Sequence, residues 1–152
     1  MRIRFSQLLA TLLLGLPLAA AAAPTIDATI YTTKGERPLK LETATTPAAR
    51  EQGLMHRADL SDDDGMLFVF PKAYDAAFWM KDTEIPLDML FIGPDHLITH
   101  IEANAKPYSL NPRRAGSPTE AVIELDGGRA AKDGVAVGDM VHYALPKDMP
   151  VR

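Results

Sequence analysis

The chain has 152 residues, no cysteine, and 16 Lys plus Arg against 20 Asp plus Glu, for a formal charge of −4. An acidic balance without a basic stripe argues against nucleic-acid partners and against anionic membrane surfaces. Without disulfides the fold must be held by its core, and a chain of this size buries about two-thirds of its unfolded surface as one domain.

Arg2 and Arg4 precede an apolar run from Leu8 to Leu18, and small residues from Ala19 to Ala23 follow. Basic start, short apolar run and small-residue exit are the pattern of a secretory signal peptide over residues 1–22. The run is too short for a comfortable membrane span. No cysteine stands near the exit, so no lipid anchor is expected there. Residues 23–152 are then the mature chain, periplasmic or secreted, with no transmembrane anchor after cleavage. Cleavage removes two arginines, so the charge moves from −4 to −6.

Thr25 to Thr33 alternates as a strand, with Ile26, Ala28 and Ile30 on one face. Lys34-Gly35-Glu36 reads as a hairpin turn, and Leu39 and Leu41 continue a second strand towards Thr45. Thr46-Pro47 opens a helix, the threonine as cap and the proline at the first helical position. The helix is expected to run to about Leu54. If the turn continues, Arg50, Leu54 and Arg57 share one face. Ser61 to Gly65 is an acidic turn. Its three aspartates are contiguous rather than alternating, and position twelve is Ala73, so it does not fit a calcium loop.

Gly65 to Ile92 holds six of the ten aromatic residues. Met66 to Phe70 is apolar at every position, the mark of a strand buried on both faces. Ala77 to Met80 and Leu87 to Ile92 read as two further strands around the polar turn Lys81-Asp82-Thr83-Glu84. Gly93 to His96 then joins Leu87–Ile92 to Leu97–Ala103 as a hairpin. Pairing Ile92 with Leu97 sets Asp88 opposite Ile101, as an acid on an apolar face. Asn104 to Pro118 is the longest loop, and long loops are often functional. Ala121 to Leu125 is a strand, Gly127-Gly128 leads into a short helix ending at Gly134, and Met140 to Leu145 is the last strand. The tail from Pro146 reads as frayed. These elements predict a mainly β (α+β) domain: one compact, antiparallel, barrel-like sheet with one or two short helices. The Pro47 helix is expected to cross one opening.

Gly53-Leu54-Met55, Arg57, Gly65-Met66-Leu67-Phe68, Phe78-Trp79-Met80-Lys81, Thr83, Pro86-Leu87-Asp88 and Phe91-Ile92 occur in an order and spacing that resembles the prokaryotic family catalogued as domain of unknown function 192. The resemblance continues through Ile101, Glu124, Gly128 and Gly138-Asp139, and covers nearly all the chain after Pro24. It implies a compact, mainly β domain. It brings no established activity, so it assigns no catalytic residues.

No HExxH, GxSxG, P-loop or dinucleotide fingerprint is present. His56, His96, His100 and His142 are scattered, and no metal site or cofactor is expected from them. The leading reading is a small-ligand or protein binding domain. Its candidate surface is Arg50, Arg57, Trp79, Lys81, Asp82, Thr83 and Asp88. A buried Asp88 needs a cation or several N–H donors, and a contact with Arg50 or Arg57 is expected. Two alternatives stand beside it. One is a hydrolase dividing acid and base roles between Asp82 and Asp88. The other is a periplasmic copper-handling protein using the histidines and Met55, Met66, Met80 and Met89, whose thioethers suit Cu(I).

Overall fold

The computed structural model describes residues 24–61 and 64–152. The predicted signal peptide and Asp62-Asp63 of the acidic turn lie outside the described residues. Seven strands among the described residues form one sheet: β1 (Thr25–Thr32), β2 (Gly35–Ala44), β3 (Asp64–Tyr74), β4 (Leu87–Ile92), β5 (Ile98–Ala105), β6 (Thr119–Asp126) and β7 (Met140–Tyr143). Two short helices accompany it, α1 (Pro47–Gln52) and α2 (Arg129–Asp133).

The strand order is β5-β4-β6-β3-β2-β1-β7. Every neighbouring pair is antiparallel except β2 and β3. A parallel pair needs a long crossover, and residues 45–63, which carry α1, supply it. The sheet curls until its two edges approach. Leu97 bridges Met140, and Val141 N donates to His96 O at 2.9 Å. The mainly β, barrel-like expectation therefore holds, as a half-barrel with one parallel pair.

Each face of the curl carries its own core. Ile30, Leu41, Leu67, Leu90, Ile123 and Leu125 pack inside it. Met66, Phe68, Phe70, Met89, Phe91 and Val122 pack on the outer face with Leu54, Ala76 and Met80. This explains the unbroken apolar run Met66 to Phe70, because alternate side chains enter different cores. Burying the outer face falls to α1 and to the irregular segments 75–86 and 106–118.

Several local expectations change. Ala77 to Met80 is not a strand. It makes a single bridge, Phe78 to Arg113, with N–H···O bonds of 3.0 and 2.8 Å. The segment crosses the outer face, so Ala76 and Met80 are buried while Trp79 stays half-exposed. In the β4–β5 hairpin Leu90, not Asp88, faces Ile101, and Ile92 faces Ile98. The register slips between Phe91 and Ile92, where the Thr99 hydroxyl bonds Phe91 O at 3.2 Å. An extra residue of this kind shifts every later pair. The tail is docked rather than frayed. Arg152 N donates to Thr45 O at 2.9 Å, and Leu145 and Val151 pack on the inner core.

Thr46 caps α1 as expected, accepting from Ala49 N at 3.3 Å. The helix stops at Gln52, two residues short of the expected end. Gly53 takes φ 46°, and a Cβ there would meet the Phe68 ring at 3.2 Å. The glycine thus lets the chain turn while resting on the aromatic core.

Candidate functional site

Asp88 is fully buried, but neither arginine reaches it. Its Oδ1 accepts from Asn104 N at 2.8 Å and Gly128 N at 3.0 Å, and its Oδ2 accepts from Ala130 N at 2.8 Å. Main-chain donors at the start of α2 and at the end of β5 therefore do what a guanidinium was expected to do. Helix starts leave such donors open, and a carboxylate there is favoured. Asp88 also points to the inner face, since its neighbours Leu87 and Met89 belong to the outer core.

The two arginines part for a plain reason: α1 ends before Arg57, so no common helical face forms. Arg57 pairs with Glu42 at 2.6 Å, and that partner raises its pKa. Arg50 donates to Val69 O at 3.0 Å and to Arg152 O, and lies over the Phe70 ring at 5.5 Å. Asp82 is exposed, with φ 50°, and its carbonyl accepts from His56 N at 2.8 Å. Asp82 is thus exposed and Asp88 buried, so the two carboxylates raised for a hydrolase sit in unlike environments.

An open cavity of about 240 Å³ lies on the outer face of the sheet. One wall is the end of α1 and the turn after it, Arg50 to Met55. The other is Tyr74, Ala77, Phe78, Trp79, Lys81 and Thr83. Phe68 and Phe70 of β3 and Glu124 of β6 complete the lining. Phe78 is the keystone of the aromatic wall, edge-on to Phe68 at 5.0 Å, Phe91 at 5.9 Å and Phe70 at 6.3 Å. Edge-to-face pairs of this kind fix ring positions as well as burying area.

The long loop backs this wall. Met80 N donates to Ser109 O at 2.8 Å and Tyr108 N to Thr83 O at 3.2 Å. Arg113, bridged to Phe78, holds the loop together through Asn111 O at 2.6 Å and Glu102 at 3.3 Å. Outside the wall, Trp79, Lys81, Asp82, Tyr108 and Leu110 line a second, shallower groove.

Glu124 is the unusual group. It is 4% exposed, and no hydrogen bond or ion pair ties its carboxyl among the described residues. Met66 and Met89 face it on the flanking strands. Burial pushes its pKa up from the usual 4.5 to about 8. A buried carboxyl without a partner is costly in its charged form, so this one holds its proton at neutral pH. It can donate or accept a hydrogen bond, or ionise beside an incoming cation.

Of the seven candidate residues, the cavity collects Arg50, Trp79, Lys81 and Thr83. Asp82 lies in the adjoining groove, and Arg57 and Asp88 lie elsewhere. Of the four methionines raised for copper, Met55 alone lines the cavity, while Met66, Met80 and Met89 are buried in the outer core. Glu124 was not among the candidates. Its signal was present: Ala121-Val122-Ile123-Glu124-Leu125 sets one acid inside an apolar strand, the same argument that singled out Asp88.

The chain belongs to the family of domain of unknown function 192, whose family model, described as an uncharacterised ACR, matches residues 29–143. No curated protein matches it. A crystal structure of a Sinorhizobium meliloti 1021 protein, provisionally named a transcription regulator, is similar with a TM-score of 0.79 and 36% identity, over 82% of this chain and 98% of that one. A protein of unknown function from Novosphingobium aromaticivorans DSM 12444 is similar with a TM-score of 0.77 and 40% identity, over 82% of this chain and 94% of that one.

Proposed function

We propose that this protein binds a small ligand in the outer-face cavity, and that it does so in the periplasm or outside the cell. The observation that carries the reading is Glu124: a buried carboxyl with no internal partner, on the lining of an aromatic cavity. Ligand sites combine apolar walls with a few convergent polar groups and a perturbed titrating group. Here the polar groups are Glu124 and Thr83, both buried, with the more exposed Arg50, Glu51 and Lys81. At about 240 Å³ the cavity is smaller than drug-sized sites, which favours a compact metabolite. The location rests on the signal-peptide pattern of residues 1–22. The provisional name of the Sinorhizobium relative is not carried over, because an acidic chain without a basic stripe is a poor fit to DNA.

A second reading has its own observation. Tyr108 and Leu110 are more than half exposed beside Trp79, and the three line one groove. Exposed aromatic and aliphatic groups clustered beside a site suit a protein partner covering the cavity mouth.

The test is a small-metabolite screen by amide NMR on the mature protein. A true ligand shifts Arg50 to Met55 and Trp79 to Thr83 together, and quenches or blue-shifts the single tryptophan. A screen whose hits all move other surfaces, and leave Trp79 unmoved, overturns the ligand-pocket reading.

A further inference from the structure

We infer that the cavity selects a compact zwitterion, with its ammonium head seated between the aromatic rings and the Glu124 carboxylate and its carboxylate held by Lys81. The inference rests on the ligand-pocket reading above and names the ligand class for the same site. Three observations point to it.

The first is the unpartnered Glu124. Its oxygens are reachable from the cavity, because no fully buried side-chain oxygen among the described residues lacks a partner, and a carboxyl so placed is satisfied most directly by an incoming cation. The ammonium then takes the place of the proton, which leaves to solvent.

The second is the wall. Phe68, Phe70, Phe78 and Trp79 present aromatic surface around the same space. Aromatic faces attract cations, and such boxes are a recurrent solution for substituted ammonium groups. The protein already uses two of these rings in this way, with Arg50 over Phe70 at 5.5 Å and Lys81 over Trp79 at 5.8 Å.

The third is the mouth. Among the described residues Lys81 has no acidic partner within ion-pair distance. Arg50 is already held, by Val69 O and by an oxygen of Arg152 at the end of the chain. A ligand with only a cationic head leaves the Lys81 charge unanswered, whereas a zwitterion meets it with its own carboxylate.

The test uses glycine betaine, carnitine and γ-aminobutyrate as probes, titrated into the mature protein with Trp79 fluorescence and amide NMR as readouts. The control is 3,3-dimethylbutanoate, which has the shape and carboxylate of glycine betaine but a neutral head. The expected result is that at least one zwitterion binds about 10-fold or more tighter than the control. Glu124→Gln should remove that preference, and Lys81→Gln should weaken binding of zwitterions and control alike. If the control binds as well as the zwitterions, or Glu124→Gln leaves the preference intact, the ammonium inference is overturned and the ligand-pocket reading stands. If neither the probes nor a wider screen moves the cavity amides or Trp79, both are overturned.

Discussion

Replacing Glu124 by glutamine keeps the side-chain shape and removes the titrating proton. In the folded protein this carboxyl has its pKa raised from 4.5 to about 8. The sign follows directly. Between those two values the folded state keeps a proton that the unfolded state has released, so stability is highest at low pH and falls as pH rises towards 8. One pH unit is worth about 1.36 kcal/mol for a single group. The whole effect is on the order of 5 kcal/mol, and the part between pH 5 and pH 8 is on the order of 3 kcal/mol. For a domain of this size that is a melting-temperature change of roughly 10 °C. Arg50, Glu51, Tyr74 and Lys81 also line the cavity, but they are present in both proteins. The wild type minus Glu124→Gln difference therefore isolates one group. The assay is thermal unfolding of both proteins across pH 5 to 8. Glu124→Gln should gain on the wild type steadily as pH rises. A difference that stays flat would refute the buried, unpartnered carboxyl.

Asp88→Ala removes the acceptor for three main-chain donors, each costing about 1–3 kcal/mol when left buried and unpaired. Unfolding should show a loss of about 3 kcal/mol or more. Adding Arg57→Met should not restore it, because the two residues share no partner; recovery in the double variant would mean that they do pair. Arg57→Gln alone should cost less than about 1 kcal/mol, since the Glu42 pair is part-exposed, and the loss should shrink in high salt. Gly65→Ala should be severely destabilising by chemical denaturation, because its Cβ would lie 2.5 Å from Glu124 O. A variant with unchanged stability would show that β3 and β6 can part without penalty.

What the sequence discloses is what depends on side-chain polarity and local turn chemistry. Thr46-Pro47 announces α1, Gly35 the first hairpin, and Met66 to Phe70 a strand buried on both faces. The long-range choices are hidden. Nothing in Ala77 to Met80 tells a strand from an apolar segment lying across a sheet, because both bury alternate residues. The β4–β5 register depends on a one-residue irregularity near Thr99 that apolar alternation does not encode. An arginine is the partner a sequence suggests for Asp88, because side chains are visible in it and main-chain donors are not. Its partners, Asn104, Gly128 and Ala130, are recruited by their backbone alone. The cavity was half legible. Trp79, Lys81 and Thr83 stand together in the chain, whereas Glu124 and Arg50 reach the same space only through the order β6-β3-β2 and the crossover that carries α1. The feature that marks Glu124, a lone acid in an apolar strand, needed no structure to be noticed. Its lack of a partner did.

The central claim concerns the charge state of one carboxyl, and that is measurable directly. Carboxyl-carbon NMR of selectively labelled glutamate, assigned by Glu124→Gln, follows this group through a pH titration. The expected midpoint is near 8 in the free protein, falling when a zwitterionic ligand fills the cavity. A midpoint near the ordinary glutamate value in the free protein would contradict it.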